Sequence, residues 1–229
     1  MIVRIMSRKK EAMVDSLPYK KVTWWYRFVK RSFDIFVSLI AILILSPFYI
    51  IFTLINAIYT RGHPIFFDKR IGKDYKKINV YKYRSMYYDA ETNVDKYLNK
   101  AQKKQWKKER KVQNDPRITP FGKILRKTSI DELPQLFNIL FGSMSFVGPR
   151  PITEGELNAN FTKEQQDIML SARPGLIGYW GVKGRSNVAF ADGVRQKLEL
   201  DYFKLRGIWF DLGLIFRVIP AVLKGSGAK

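Results

Sequence analysis

Asp131 and Glu132 are neighbouring acids in a stretch otherwise rich in cations, with Arg126, Lys127, Thr128 and Ser129 before them and Arg150 after them in Gly148-Pro149-Arg150-Pro151. Adjacent helical residues point about 100° apart, so the two carboxylates suit separate tasks better than a shared proton. One could attack phosphorus while the other holds a divalent cation. The arginines nearby would offset the charge of a pyrophosphate in its transition state. A structural assignment competes with this one. Ser129-x-x-Glu132 has the spacing of a capping box, and Asp131 would then sit at the positive end of a helix. Pro134 complicates that assignment, because proline belongs at the first helical position and not in the second turn.

Composition narrows the other options. The chain of 229 residues contains no cysteine and one histidine, His63. A disulfide framework, a thiolate nucleophile and a cysteine or histidine zinc cluster are therefore excluded. Neither GxxxxGK(S/T) nor GxGxxG occurs, which removes the usual phosphate-cradling loops. Lysine and arginine number 41 against 20 acids, a net charge of +21. Such an excess calls for an anionic partner: nucleic acid, a membrane surface or a phosphorylated substrate. The length fits one domain with an appendage.

That appendage is the uncharged run from Ile35 to Tyr59. A helix of about 25 residues would be about 37 Å long, enough for about 30 Å of hydrocarbon. Basic residues flank it on both sides, Lys30 and Arg31 before, Arg61, Lys69 and Arg70 after, so the positive-inside rule cannot satisfy both ends of a single crossing. Pro47, following Ser46, deprives the Leu43 carbonyl of its helical partner and divides the run into halves too short to span. A re-entrant membrane helix-hairpin over 30–60, broken at Ser46 and Pro47, satisfies both observations. A kinked span with a basic outer domain and a buried core helix are the alternatives. Trp24, Trp25 and Tyr26 would lie at headgroup level.

The rest reads as an α+β domain, mostly helical, over 61–229, preceded by a basic N-terminal segment over 1–29. Strands are expected at 64–67 and 77–86 around the turn at Gly72 to Asp74, with a solvated helix within 89–112 and another at 162–171. Residues 173–186 read as an irregular glycine-rich loop near a ligand. Residues 208–223 suit an interfacial amphipathic helix or a core helix.

Together these pieces resemble the bacterial sugar transferases, the polyisoprenyl-phosphate hexose-1-phosphate transferases or small monotopic phosphoglycosyl transferases. The resemblance runs from about Lys30 to the C-terminus. It rests on Lys30-Arg31 with Phe33-Asp34, Ser46-Pro47, Arg70-x-Gly72, Tyr81-Lys82-Tyr83-Arg84-Ser85-Met86 and Asp115-Pro116-Arg117-Ile118-Thr119. It continues through Leu125 to Leu136, Ser145 to Pro151, and Arg173-Pro174-Gly175 to Gly184-Arg185.

The resemblance implies a UDP-sugar donor, a polyprenyl (undecaprenyl) phosphate acceptor and Mg2+ as cofactor. Asp131 would attack the phosphate next to the sugar with release of UMP, and Glu132 would be the magnesium ligand. Lys82, Arg84, Arg126, Arg150 and Arg185 would contact substrate. The enzyme would sit among membrane lipids on the cytoplasmic face of the bacterial inner membrane, making the first lipid-linked intermediate of an exopolysaccharide or capsule. The ending from Leu223 to Ala228 resembles members that transfer glucose or galactose 1-phosphate. Asp68 stands where the family usually has glutamine, and Gly181 and Lys183 also depart from its pattern, which bears on the choice of sugar. The four-helix membrane portion of longer members is not seen, so a catalytic unit alone is expected, and a homodimer is left open. A tethered nucleic-acid binder would explain the charge, but base-stacking and groove-reading motifs are missing, so no nucleic acid partner is expected. A non-catalytic scaffold would not need the Asp-Glu, Pro-Arg-Pro and Gly-Arg motifs.

Overall fold

A computed structural model describes residues 14–109, 112, 114–183 and 193–223. Its first element, α1, runs from Trp24 to Thr60. Thr23 starts it by accepting a hydrogen bond from the Tyr26 amide at 3.2 Å, and Arg61 ends it in the left-handed region with φ 55°. The helix therefore begins at Trp24 and not at Lys30. Helical structure continues across Ser46 and Pro47, where a break between two half-helices of a hairpin was expected. The reason is local. Pro47 cannot donate to the Leu43 carbonyl, and the Ser46 hydroxyl takes its place at 2.8 Å, so no acceptor is left bare.

One face of α1 lies along the remainder of the protein from end to end. In its first half, Tyr26 Oη donates to Asp211 at 2.8 Å and Lys30 pairs with the same carboxylate. Arg31 donates to the carbonyls of Ile139 at 2.6 Å and Leu140 at 2.7 Å, while Asp34 accepts from the Phe146 amide at 3.0 Å. In its second half, Asn56 Nδ2 donates to the carbonyls of Pro64 and Arg84 at 2.9 and 3.0 Å. The segment before the helix is held as well, with the Lys20 amide on the Phe203 carbonyl at 2.9 Å and Lys197 on Asp15 at 2.7 Å. The opposite face exposes Phe36, Leu39, Leu43, Ile44, Phe48, Ile51, Leu54 and Ile58 at helical spacing. By length and composition α1 could cross a membrane.

After α1, strands β1 (Ile65–Ile71) and β2 (Lys77–Tyr83) pair antiparallel, with Phe66 opposite Lys82 and Asp68 opposite Val80. A turn of 3-10 helix at Lys73–Tyr75 joins them, close to the expected turn. The polar stretch that follows forms two short helices, α2 (Val94–Tyr97) and α3 (Lys100–Glu109), instead of one. Helices α4 (Pro120–Thr128) and α5 (Gln135–Phe141) lead into β3 (Ser145–Val147). Helices α6 (Glu154–Asn160) and α7 (Lys163–Met169) both start on capping boxes, from Thr153 and Thr162.

The glycine-rich segment expected to be irregular contains β4 (Gly175–Ile177), parallel to β3, and α8 (Tyr179–Lys183). The two strands approach so closely that a Cβ on Gly175 would lie 2.1 Å from the Gly148 amide nitrogen. Helices α9 (Val194–Leu205) and α10 (Ile208–Leu223) complete the described residues. On α10, Asp211 and Leu214 are buried and Trp209 and Phe216 are exposed. It is thus neither a fully buried core helix nor a free one: it packs one face on α1 and turns an aromatic face outward.

Two clusters form the core. The larger holds Val147, Leu157, Phe161, Met169, Tyr179, Leu200, Phe203 and Leu214. The smaller holds Val80, Leu136, Ile139 and Met144, with Ala41, Ile42 and Leu45 of α1 packed against it. The long apolar helix is therefore a wall of the fold as well as an anchor candidate.

Candidate active site

Helix α4 is capped by Thr119, whose hydroxyl accepts from the Gly122 amide at 2.9 Å, and has proline at its first position. It ends at Ser129, which is left-handed with φ 59°. Ser129 makes no side-chain capping bond; instead its carbonyl accepts from the Glu132 amide at 3.2 Å. The capping-box assignment is thereby set aside. Asp131 and Glu132 occupy a 3-10 turn, Ile130–Glu132, and Pro134 stands at the cap of α5, where its fixed φ fits. A short, tight turn between two helices leaves both carboxylates off the regular helical surface.

Glu132 faces an open cleft of about 180 Å³ that is also lined by Asp68, Arg70, Lys82, Arg150, Trp180 and Gly181. The structure thus brings Glu132, Lys82 and Arg150 together around one cleft. Lys82 comes from β2, sharing the face of Val80. Arg150 follows β3 and lies over the Trp180 ring, 5.8 Å from its centre. Its backbone amide donates to Glu199 Oε2 at 3.1 Å. Glu199 is buried and its carboxyl is pushed up to about 7, chiefly by that burial. Sequence reasoning missed Glu199 because apolar and charged residues are interspersed along α9 without marking it, and only packing shows that it is enclosed.

Asp131 borders this group. Burial, and then the charge of Glu132, push its carboxyl up to about 6, while Lys82 and Arg126 act in the opposite direction. It remains mainly ionised at neutral pH. Arg126 is held by its Nε donating to Ser85 Oγ at 2.8 Å.

Arg84 is not brought to the cleft. Its Nε donates to the His63 carbonyl at 2.9 Å, and its guanidinium lies over the rings of Phe66 and Tyr88 at 5.4 and 5.0 Å. Arg84 clamps the hairpin to the end of α1, and the cleft lining does not include it. Arg185 lies outside the described residues, as do the Gly184-Arg185 motif and Lys224 to Lys229. Of the three departures from the family pattern, Asp68 lines the cleft and pairs with Arg70 at 2.8 Å and Lys82 at 3.4 Å. Gly181 lines it too, whereas the Lys183 ammonium lies over the Tyr179 ring.

The donor set suits a magnesium ion carried with a diphosphate. Among the described residues no three histidine, aspartate or glutamate side chains gather into a cage. Magnesium is commonly held by one or two carboxylates, with phosphate oxygens and water completing the octahedron, and Glu132 offers such a ligand in an open cleft.

Comparison with known proteins agrees with the geometry. The family model described as "Bacterial sugar transferase" matches residues 25–225. The chain is 41% identical over 210 residues to an uncharacterized sugar transferase of Haemophilus influenzae, covering 88% of this chain and 42% of that protein. It is 38% identical over 204 residues to an undecaprenyl-phosphate galactose phosphotransferase of Salmonella typhimurium, with the same two coverages, 88% and 42%. With the exopolysaccharide production protein ExoY of Sinorhizobium fredii it shares 37% identity over 203 residues and 87% of either chain. The chain thus spans less than half the length of the first two relatives and most of the third. A match that begins in α1 and runs through the Asp131-Glu132 turn to α10 takes in every element of the cleft, and the chain belongs to the bacterial sugar transferase family.

Proposed function

We propose that the protein transfers a hexose 1-phosphate, glucose or galactose, from a UDP-sugar to undecaprenyl phosphate, as the first membrane step of exopolysaccharide or capsule synthesis. The observation that carries this reading is the Asp131-Glu132 turn set beside a cleft that gathers Lys82 and Arg150, in a chain of the sugar transferase family. An Asp131 oxygen attacks the phosphorus next to the sugar. The bond from that phosphorus to the bridging oxygen breaks, and UMP departs with the electron pair. An oxygen of the lipid phosphate then attacks the same phosphorus and restores the free carboxylate. Asp131, being ionised, needs no base in the first step. Lys82 and Arg150 hold the diphosphate charge, and Glu132 holds magnesium, whose chemistry is charge neutralisation on the phosphate oxygens. Release of UMP from UDP-sugars by purified protein in the presence of polyprenyl phosphate tests the reading directly. UDP-glucose or UDP-galactose should be preferred, and an N-acetylated donor that wins by about tenfold in kcat/KM, about 1.4 kcal/mol, reverses the sugar assignment.

The same reading puts the catalytic domain on the cytoplasmic side of the inner membrane, with α1 entering and leaving by one face. Support comes from the contacts of α1, because residues before it, along it and after it all bond to one domain. A helix that carried its ends to opposite sides of a bilayer would have to give up one set. Since the native chain has no cysteine, single cysteines at Ser16 and Lys76 can be labelled cleanly. Both should resist an impermeant thiol reagent in intact cells and react after lysis. Reaction of either one from outside rules out the one-sided arrangement.

A further inference from the structure

Tyr49 belongs to α1, two residues beyond Pro47, and its neighbours Phe48 and Ile50 are exposed on the apolar face. Its own side chain turns the other way. The phenol donates to the Leu133 carbonyl at 2.7 Å, and Leu133 directly follows Glu132 at the end of the 3-10 turn. That carbonyl also accepts from the Leu136 amide at 3.0 Å, so both of its lone pairs are engaged, one by α5 and one by α1. The Tyr49 ring stands edge-on to Phe137 of α5 with centroids 5.4 Å apart. From the other side, Tyr83 of β2 donates to the Tyr49 carbonyl at 3.2 Å and lies 3.2 Å from the Thr53 hydroxyl.

We propose that Tyr49 is a positioning residue that fixes the catalytic turn to the lipid-facing helix. The proposal deepens the transferase reading and rests on it. Its basis is the geometry at Pro47. There the helical ladder lacks one rung, replaced by the local bond from Ser46, so this is the part of α1 most easily bent. Tyr49, in the next turn, is the side chain that ties this part to the turn bearing Asp131 and Glu132. This hydrogen bond gives a shift of the outward face in lipid a direct route to the catalytic turn. Displacements of about 1 Å at a reacting group can lower a rate by about 100-fold, so such a tether has a catalytic consequence. Lys82 and Arg150 are not held by Tyr49, and donor affinity should therefore be insensitive to it.

The test compares Tyr49→Phe with Thr53→Val in full-length protein embedded in lipid nanodiscs. Thr53→Val removes a bond from the same helix to Tyr83 but touches nothing on the catalytic turn. Tyr49→Phe should lower kcat roughly tenfold with donor KM within about twofold, and should slow labelling by donor alone to the same extent. Amide hydrogen exchange over residues 130–137 should quicken in Tyr49→Phe and stay as in wild type in Thr53→Val. Unchanged exchange over that segment in Tyr49→Phe overturns the proposal whether or not the protein is active. So does a wild-type kcat, or a loss of kcat that Thr53→Val reproduces. Wild-type protein that releases no UMP from any UDP-sugar would sink the transferase reading instead, while the exchange comparison would still decide the tether.

Discussion

Asp131→Asn should give a folded protein with no measurable transfer and no UMP release, even in the absence of acceptor. The amide keeps the shape of the side chain and removes the nucleophile. Loss of a covalent nucleophile lowers rates by about 10⁴-fold or more in enzymes where it has been measured. The stability outcome separates chemistry from folding. The Asp131 carboxyl has its pKa raised from 3.8 to about 6 by burial and by Glu132, so its ionised form is disfavoured in the native state. A carboxylate with a raised pKa weakens the fold progressively as pH rises from its unfolded value to its folded one, here by roughly 3 kcal/mol at most above about pH 6 by linkage. Asparagine carries no such charge. At pH 7.5 the variant should therefore melt at the same temperature as wild type or higher, in calorimetry or circular dichroism. Incubation of wild type with a sugar-labelled donor and no lipid should leave label on the protein. A stable Asp131→Asn variant that still acquires that label would falsify the assignment of the nucleophile.

Glu132→Gln is expected to fall by about 10²- to 10³-fold in kcat at low millimolar magnesium and to recover in part as magnesium is raised. The side chain faces the cleft beside Lys82 and Arg150, and its substitution removes an anionic oxygen while keeping its volume. The magnesium dependence of UMP release is the discriminating measurement. A purely structural Glu132 would lower the rate without moving the magnesium midpoint, and an unmoved midpoint removes Glu132 from the metal site. The two variants are also expected to differ in labelling. Glu132→Gln should still accumulate label slowly from the donor, because Asp131 is intact, whereas Asp131→Asn should not.

Much of this site could be read in the sequence because its parts are local. The β1–β2 hairpin follows from strand-forming residues on either side of Gly72 to Asp74, and α7 follows from Thr162 and Gln165 at capping-box spacing. Lys82 falls on the cleft side of β2 by the twofold period of a strand. Arg84 shares that parity, yet β2 ends at Tyr83 and the next residue is drawn away by the His63 carbonyl and two rings. Strand β4 was not legible at all. Three residues from Gly175 to Ile177 have no pattern of their own and become a strand only by pairing with Ser145 to Val147.

The sequence by itself determined that this protein has an apolar helix flanked by positive charge, that its chemistry falls to carboxylates, hydroxyls and cations, and that Asp131 and Glu132 stand next to each other. Those are properties of composition and of neighbours along the chain, which folding cannot alter. The tertiary structure alone decided that Ser129 closes α4 with its backbone amide and makes no side-chain cap for the next turn, that Ser46 lets α1 run on through Pro47, and that both halves of α1 rest on one domain. It alone joined Tyr49 to Leu133 and Glu199 to the Arg150 amide. Each of these is a hydrogen bond whose donor had a choice of acceptors, mostly far apart in sequence. Which acceptor wins depends on what packing brings within about 3 Å and shields from water, and a buried polar group left without a partner costs about 1–3 kcal/mol.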